Sequence, residues 1–207
     1  MTETRAIPLE DVKKLRDMTG AGMMDCRKAL EDSGGDLDRA ITLLRERGIA
    51  KAAKRVGRET SNGMVEAYLH RTSEDYPPQV GAMVEVNCES DFVAKGPDFR
   101  ALARDLAMHI AAAAPRWVSR EDVPPELVDE EREVYRRRAE QDGKPAQVID
   151  RIVQGQVETF FKENCLLDQP YIREPAIRVS ELIAQTGSKV QENIAVRRFS
   201  RFSIKEA

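Results

Sequence analysis

The sequence predicts an α+β protein: an N-terminal three-helix bundle, then a core in which a three-stranded antiparallel sheet packs with helices. Three observations predict it. Glycines cut the first 48 residues into three short segments with helical apolar spacing. Two β-prone runs, 63–70 and 80–87, are joined by a third at 193–202 near the end of the chain. Between them, proline-initiated stretches repeat apolar residues every three or four positions.

The elements follow in order. Pro8 stands where a first helical residue would, Glu10 and Asp11 fill the first turn, and Leu9, Val12, Leu15 and Arg16 keep helical spacing up to Thr19-Gly20. A second helix carries Met23, Met24, Cys26, Ala29 and Leu30 and stops at Ser33-Gly34-Gly35. Asp36 caps a third, with Leu37, Ala40, Ile41 and Leu44 on its apolar face and Gly48 as its expected terminator. Arg45, Arg47, Lys51, Lys54, Arg55 and Arg58 then make a basic connector, partly helical around 50–54. The expected organisation is a bundle at 1–48, a basic linker at 49–61 and an α+β core at 62–207. Within the core, a proline-containing loop from Ser73 to Gln79 separates the two hairpin strands. Pro97-Asp98 opens a helix with Phe99, Leu102, Ala103, Leu106 and Ile110 on one side. Pro124-Pro125 opens another through Leu127, Val134 and Tyr135. Pro145 starts a third with Val148, Ile152, Val153, Phe160 and Phe161. A short extended piece at 170–172 precedes a helix at 179–189 and the closing strand.

Composition narrows the function. The 207 residues carry 33 Lys and Arg against 36 Asp and Glu, a formal net charge of −3. A dedicated nucleic-acid binder would show a basic excess over its whole domain. With 41% apolar, 33% charged and 5% aromatic residues, the chain reads as folded and helix-leaning rather than disordered. No apolar run nears the roughly 20 residues that cross a bilayer. Residues 1–5 lead into no signal-peptide core, so a cytoplasmic protein is expected. Cys26, Cys88 and Cys165 are odd in number and far apart, which suits reduced, partly buried thiols. His70 and His109 are too few for a histidine-based zinc site or triad, and neither GxxxxGK[ST] nor GxGxxG occurs. No metal and no cofactor is therefore expected, although a carboxylate or lysine mechanism stays open.

Three places could carry chemistry. In Thr19-Gly20-Ala21-Gly22-Met23-Met24-Asp25 the glycines make a tight turn and two methionines follow. Neighbouring helical residues point about 100° apart, so the two cannot be equally buried. Spacing alone favours methionine as core filler; the other reading turns one outward as an adaptable contact for a partner protein. In Cys88-Glu89-Ser90-Asp91-Phe92-Val93-Ala94-Lys95, Ser90 or Asp91 could cap a short helical turn with Phe92 folded beneath as core. Alternatively Asp91 and Phe92 form an exposed tip aimed at a partner's charged site. Metal ligation or acid/base work by Glu85, Glu89 and Asp91 lacks any converging histidine. The C-terminal Arg197-Arg198-Phe199-Ser200-Arg201-Phe202 mixes base and aromatic as single-strand binders do, but a half-buried strand with a polar rim explains it equally well. His109, beside Leu106 and Ile110, reads as a hydrogen-bonded structural histidine.

Taken together, these strings resemble a known family. Leu15-Arg16, Thr19-Gly20-Ala21-Gly22-Met23-Met24-Asp25-Cys26 and Lys28-Ala29-Leu30 resemble the N-terminal signature of bacterial elongation factor Ts. Asn87-Cys88-Glu89-Ser90-Asp91-Phe92-Val93-Ala94 resembles its second signature. Gly143-Lys144-Pro145, Leu166-Leu167-Asp168-Gln169-Pro170 and Glu192-Asn193-Ile194 through Phe199 match later landmarks in order. Ser90 stands where the family usually has threonine, which keeps the hydroxyl, and the Ser73–Gln79 loop looks longer than usual. The resemblance implies a ubiquitin-associated-like bundle, an α/β core and a guanine-nucleotide exchange factor for elongation factor Tu, in its GDP-bound and nucleotide-free forms. It implies that Ser90, Asp91, Phe92 and Val93 disturb the Mg²⁺ site of that GTPase. It also implies that Leu15, Arg16, Thr19, Gly20, Gly22, Met23 and Met24 dock on its nucleotide-binding domain, which reverses the core-filler preference for one methionine.

Because longer members of that family carry two related half-cores and this chain has room for one, a homodimer is expected. Val196, Phe199 and Phe202 of the closing strand are its candidate interface residues. Neither a membrane nor a nucleic acid is expected as a direct partner. The alternative is an RNA-binding protein using the basic linker and the C-terminal strand, whose affinity would fall steeply with salt.

Overall fold

The computed structural model describes residues 7–73 and 75–204. Residues 1–5 and Glu74 of the Ser73–Gln79 loop lie outside that set. The chain runs α1 (Leu9–Thr19), α2 (Met23–Ser33), α3 (Leu37–Ala53), β1 (Asn62–His70), β2 (Val80–Cys88), α4 (Asp91–Ala94), α5 (Pro97–Ala113), α6 (Pro125–Gln141), α7 (Ala146–Asn164), β3 (Pro170–Tyr171), β4 (Glu174–Arg178), α8 (Val179–Val190) and β5 (Ile194–Ser203). The α+β class is therefore as expected, with a three-stranded antiparallel sheet ordered β1-β2-β5. Two compact units divide the chain. The first gathers the chain up to Met64, Asn87–Leu102 and Ile183–Ala195; the second holds Val65–Val86, Ala103–Leu182 and the chain from Val196 on.

The first unit contains α1, α2 and α3. Val12, Leu15, Cys26, Ala29, Leu30 and Ala40 form its buried centre, with Met23, Leu37, Ile41 and Leu44 packed around them. Gly20 ends α1 with φ 66°, in the left-handed region that glycine tolerates, and donates its N–H to the Arg16 carbonyl at 2.7 Å. Asp36 caps α3 by accepting the Arg39 N–H at 3.0 Å. Leu9 opens α1 as its spacing predicts and is 61% exposed. One expectation needs correction: Gly48 does not end α3, which continues to Ala53. It is buried inside the helix, where a Cβ would come within 3.3 Å of the Ser188 hydroxyl. This glycine serves close approach of α8, not termination.

In the second unit β2 is the middle strand, so both its edges are paired. Its alternation is plain: Ala82, Val84 and Val86 are buried, while Met83 between them is half exposed. Leu106, Ala107 and Ile110 of α5 are buried. Helices α6 and α7, joined at Asp142–Pro145, enclose Val128, Ala139, Ile149, Val153, Val157, Phe160 and Cys165. Val134 and Val148, expected on the apolar faces, are exposed instead, and Val128 and Ile149 take their places. Arg120 locks the base of this pair, its guanidinium donating to Asp168 (2.7–3.0 Å) and Glu158 (2.9–3.0 Å) while lying 4.8 Å from the centre of the Phe161 ring. The hairpin β3–β4 was not expected beyond its first strand. Ile177 is the one buried residue of Glu174-Pro175-Ala176-Ile177-Arg178, so no alternation announces β4.

His109 is buried and structural, as expected. Its Nδ1 accepts the Ile172 N–H at 3.3 Å, which makes Nε2 the donor to Gln169 Oε1 at 2.9 Å. Burial holds this imidazole below the ordinary value of 6.5, so the folded protein keeps it neutral while the unfolded chain takes up a proton. The stabilisation is complete above 6.5 and is lost as pH falls from there towards the depressed folded value. Urea unfolding across that window should show stability declining with acid, and the slope should shrink in His109→Gln. An unchanged slope in the variant would assign the acid sensitivity to other groups.

Candidate partner-binding site

Both candidate motifs fall in the first unit. The turn between α1 and α2 is held from within. Thr19 Oγ1 donates to the Leu15 carbonyl (2.7 Å) and accepts the Ala21 N–H (3.3 Å). Leu15 is fully buried, Met23 is half-buried against the bundle core, and Met24 is 75% exposed. Arg16, Gly20 and Gly22 are on the surface. The two methionines thus divide the roles: one fills the core and one faces solvent.

The loop after β2 is also built from its sequence upward. Ser90 is extended (φ −124°, ψ 156°), and its hydroxyl accepts the Val93 N–H at 3.3 Å, which starts α4. Within α4 only Val93 is buried, and Phe92 stands 82% exposed. Ser90 is thus the cap, but Phe92 is not core. Asp91 carries an ion pair to Lys95 at 2.7 Å, and that hydrogen bond and charge hold its carboxyl below the usual range. The tip therefore presents a large apolar group beside an ionised acid.

Behind it lies a clamp. Glu192 Oε2 accepts the N–H groups of Glu89 (3.1 Å) and Ser90 (3.0 Å), while Oε1 accepts the Ser90 hydroxyl at 2.5 Å. In return Glu89 Oε1 accepts the Asn193 N–H at 2.6 Å and pairs with Arg58 at 3.4 Å. Asn62 Nδ2 donates to the Glu89 carbonyl at 2.9 Å, and the Cys88 thiol donates to the Ser90 carbonyl at 3.2 Å. Burial, then the nearby Glu192 charge, push that thiol up, so it stays a neutral donor.

This geometry meets its comparison in the sequences of known proteins. The family model described as elongation factor TS matches residues 10–206. The chain belongs to the elongation factor Ts family. It is 51% identical over 195 residues to "Elongation factor Ts" of Carboxydothermus hydrogenoformans, covering 94% of this chain and 88% of that one. With the protein of that name from Caldanaerobacter subterraneus, identity is 50% over 196 residues, covering 95% and 96%. With that from Frankia casuarinae it is 49% over 201 residues, covering 97% and 98%.

Sequence reasoning named the family's two signatures but not the residues that hold the second one in place. Glu192 bonds to Glu89 across 103 positions and Asn62 to Glu89 across 27, and only a fold brings the three together. The remaining candidates lie on β5. Phe199 and Phe202, three positions apart in the alternating end of the strand, lie on opposite faces. Phe202 is 74% exposed, whereas Val196 and Phe199 are half-buried. A continuous patch on one side of the sheet therefore includes at most two of these three. Among the described residues no cluster of His, Cys, Asp and Glu is arranged to hold a metal, and no helix is long and apolar enough to cross a membrane.

Proposed function

We propose that this chain is a guanine-nucleotide exchange factor of protein synthesis, which binds elongation factor Tu with GDP and promotes its release. The observation that carries the reading is the exposed Asp91-Phe92 tip on a capped, clamped helix. A protein stabilises itself by burying phenylalanine, so an 82% exposed one on a rigid support is available to a partner. Such GTPases hold GDP with backbone donors, a lysine and Mg²⁺. A factor that prefers the nucleotide-free form must weaken GDP binding by the same factor. Phe92 would enter a pocket open in that form, and Asp91 would compete for the groups around the partner's Mg²⁺. Ser90 and Val93 support them from beneath. No covalent bond of GDP changes, so the chain is read as no enzyme, and it needs no cofactor of its own. The test is release of labelled GDP from purified elongation factor Tu. Acceleration by substoichiometric factor supports the reading, and an unchanged rate overturns it.

The bundle, residues 1–48, is the docking arm in this reading, with 49–61 as a basic connector, 62–207 as the core and the cytoplasm as its place of work. Arg16, Thr19, Gly20, Gly22 and Met24 supply its outer surface, while Leu15 and Met23 hold that surface from inside. Met24→Glu should raise the factor concentration for half-maximal exchange about tenfold or more, the effect of losing one buried methionine side chain, with the maximal rate preserved. Titrated exchange kinetics check this; an unchanged midpoint would remove Met24 from the contact.

The RNA-binding alternative is weakened by how the basic residues are used. Arg47 pairs with Asp32, Lys51 with Asp25 at 2.8 Å and Arg58 with Glu89. On β5, Arg198 pairs with Glu85 at 2.7 Å. Locally neutralised charge makes a poor phosphate-binding stripe. A homodimer formed through the sheet completes the proposal.

A further inference from the structure

We propose that Glu192, on the turn leaving α8, is the positioning residue that aims the Asp91-Phe92 tip, and that Lys189, in the last turn of α8, holds the docking loop. This rests on the exchange reading above. The helix α4 has four residues, too few to hold a direction by its own hydrogen bonds. Its orientation has to come from what grips its first turn. The Ser90 hydroxyl does two things at once: it accepts the Val93 N–H and donates its proton to Glu192. The same carboxylate takes two successive backbone N–H groups, so three bonds from one side chain fix residues 89 and 90. Glu89 returns the grip on the Asn193 N–H. The requirement for a hydroxyl at position 90, met by serine here, follows from this double use.

Glu192 is itself held. Gln191 adopts φ 63°, and the Glu192 N–H donates to the Gly187 carbonyl at 3.1 Å. The chain passes so near α8 that a Cβ at Gly187 would stand 2.9 Å from the Glu192 carbonyl oxygen. On the preceding turn the Lys189 stem lies across Gly20, where a Cβ would come within 2.7 Å of its Cε. The Lys189 ammonium then reaches Asp98 at 2.6 Å. One end of one helix thus touches both the docking turn and the base of the exchange tip.

The experiment is a titration of elongation factor Tu·GDP with each variant, reading maximal rate and midpoint separately. Glu192→Ala should lower the maximal rate about tenfold to hundredfold with the midpoint little changed, the loss expected for charge-assisted hydrogen bonds. Glu192→Gln, which keeps an acceptor, should fall between. Ser90→Thr should match the wild type, Ser90→Ala should resemble Glu192→Ala, and the double variant should be no worse than either single. Lys189→Ala should instead raise the midpoint about twofold to fivefold, the scale of an exposed ion pair. Amide hydrogen exchange of the factor alone gives an independent readout: Glu192→Ala should release protection at residues 89–94 and leave α1–α3 unchanged. If protection at 89–94 persists, the grip is not what holds the tip. If protection is lost but the maximal rate is not, Glu192 is structural only, and the proposal fails. A wild type that is protected at 89–94 yet accelerates no GDP release overturns the exchange reading instead.

Discussion

Phe92→Ala is expected to slow GDP release from elongation factor Tu about tenfold to hundredfold at saturating factor, with little change in the melting temperature of the factor. The two halves of that expectation have separate causes. Phe92 is 82% exposed, so its removal opens no cavity and costs the fold little. If the ring is buried only in the nucleotide-free complex, its transfer from water contributes about 1.5–3 kcal/mol to that state and nothing to the free factor. Each 1.4 kcal/mol is about a factor of ten. Asp91→Ala should also slow release while leaving Lys95 without its 2.7 Å partner. Stopped-flow release of a fluorescent GDP analogue reads both. Wild-type rates in both variants at saturation would show that the tip takes no part in exchange. A large drop in melting temperature would mean that Phe92 packs against the chain after all.

How much of this was legible depends on the range of the interaction. The cap at Asp36, the stops at Gly20 and Gly34 and the openings at Pro97 and Pro125 are written within four residues, and each stands where the sequence places it. Gly48 misled because its purpose is set by Ser188, a residue of another helix. Likewise Phe92 was ambiguous between tip and core, since a strand-loop-helix string does not reveal which residue the scaffold covers. Ser90 as the cap of α4 is a local signal, whereas its bond to Glu192 spans 102 positions and leaves no local trace. Met23 and Met24 lie between these cases. Helical geometry demands that they differ, and the bundle core decides that Met24 is the outward one.

Met83→Glu is expected to halve the mass of the factor in solution. In the three-stranded sheet, β1 exposes Val65 (58%) and Leu69 (61%), β2 exposes Met83 (51%) and β5 exposes Phe202 (74%). Leu69, Met83, Phe202 and Ile204 line one groove of about 510 Å³. Gly81 sits at its floor, where a Cβ would lie 2.8 Å from Leu69 Cδ2, so the leucine can settle across β2. Soluble monomers rarely leave such contiguous apolar surface to water, and a two-fold partner would cover it with the same patch from another copy. On the same sheet Arg198 pairs with Glu85 at 2.7 Å, so that charge already has a partner. A carboxylate placed at Met83 would face its own image across the axis, desolvated and repelled. Because Cys26, Cys88 and Cys165 are buried and unbridged, reductant should change nothing. Light scattering at micromolar concentration should read twice 23.3 kDa for the wild type and 23.3 kDa for the variant. Phe199→Glu is the contrast: on the opposite face of β5 it should lower the melting temperature rather than split a dimer. A wild type that scatters as a single 23.3 kDa chain would overturn the dimer.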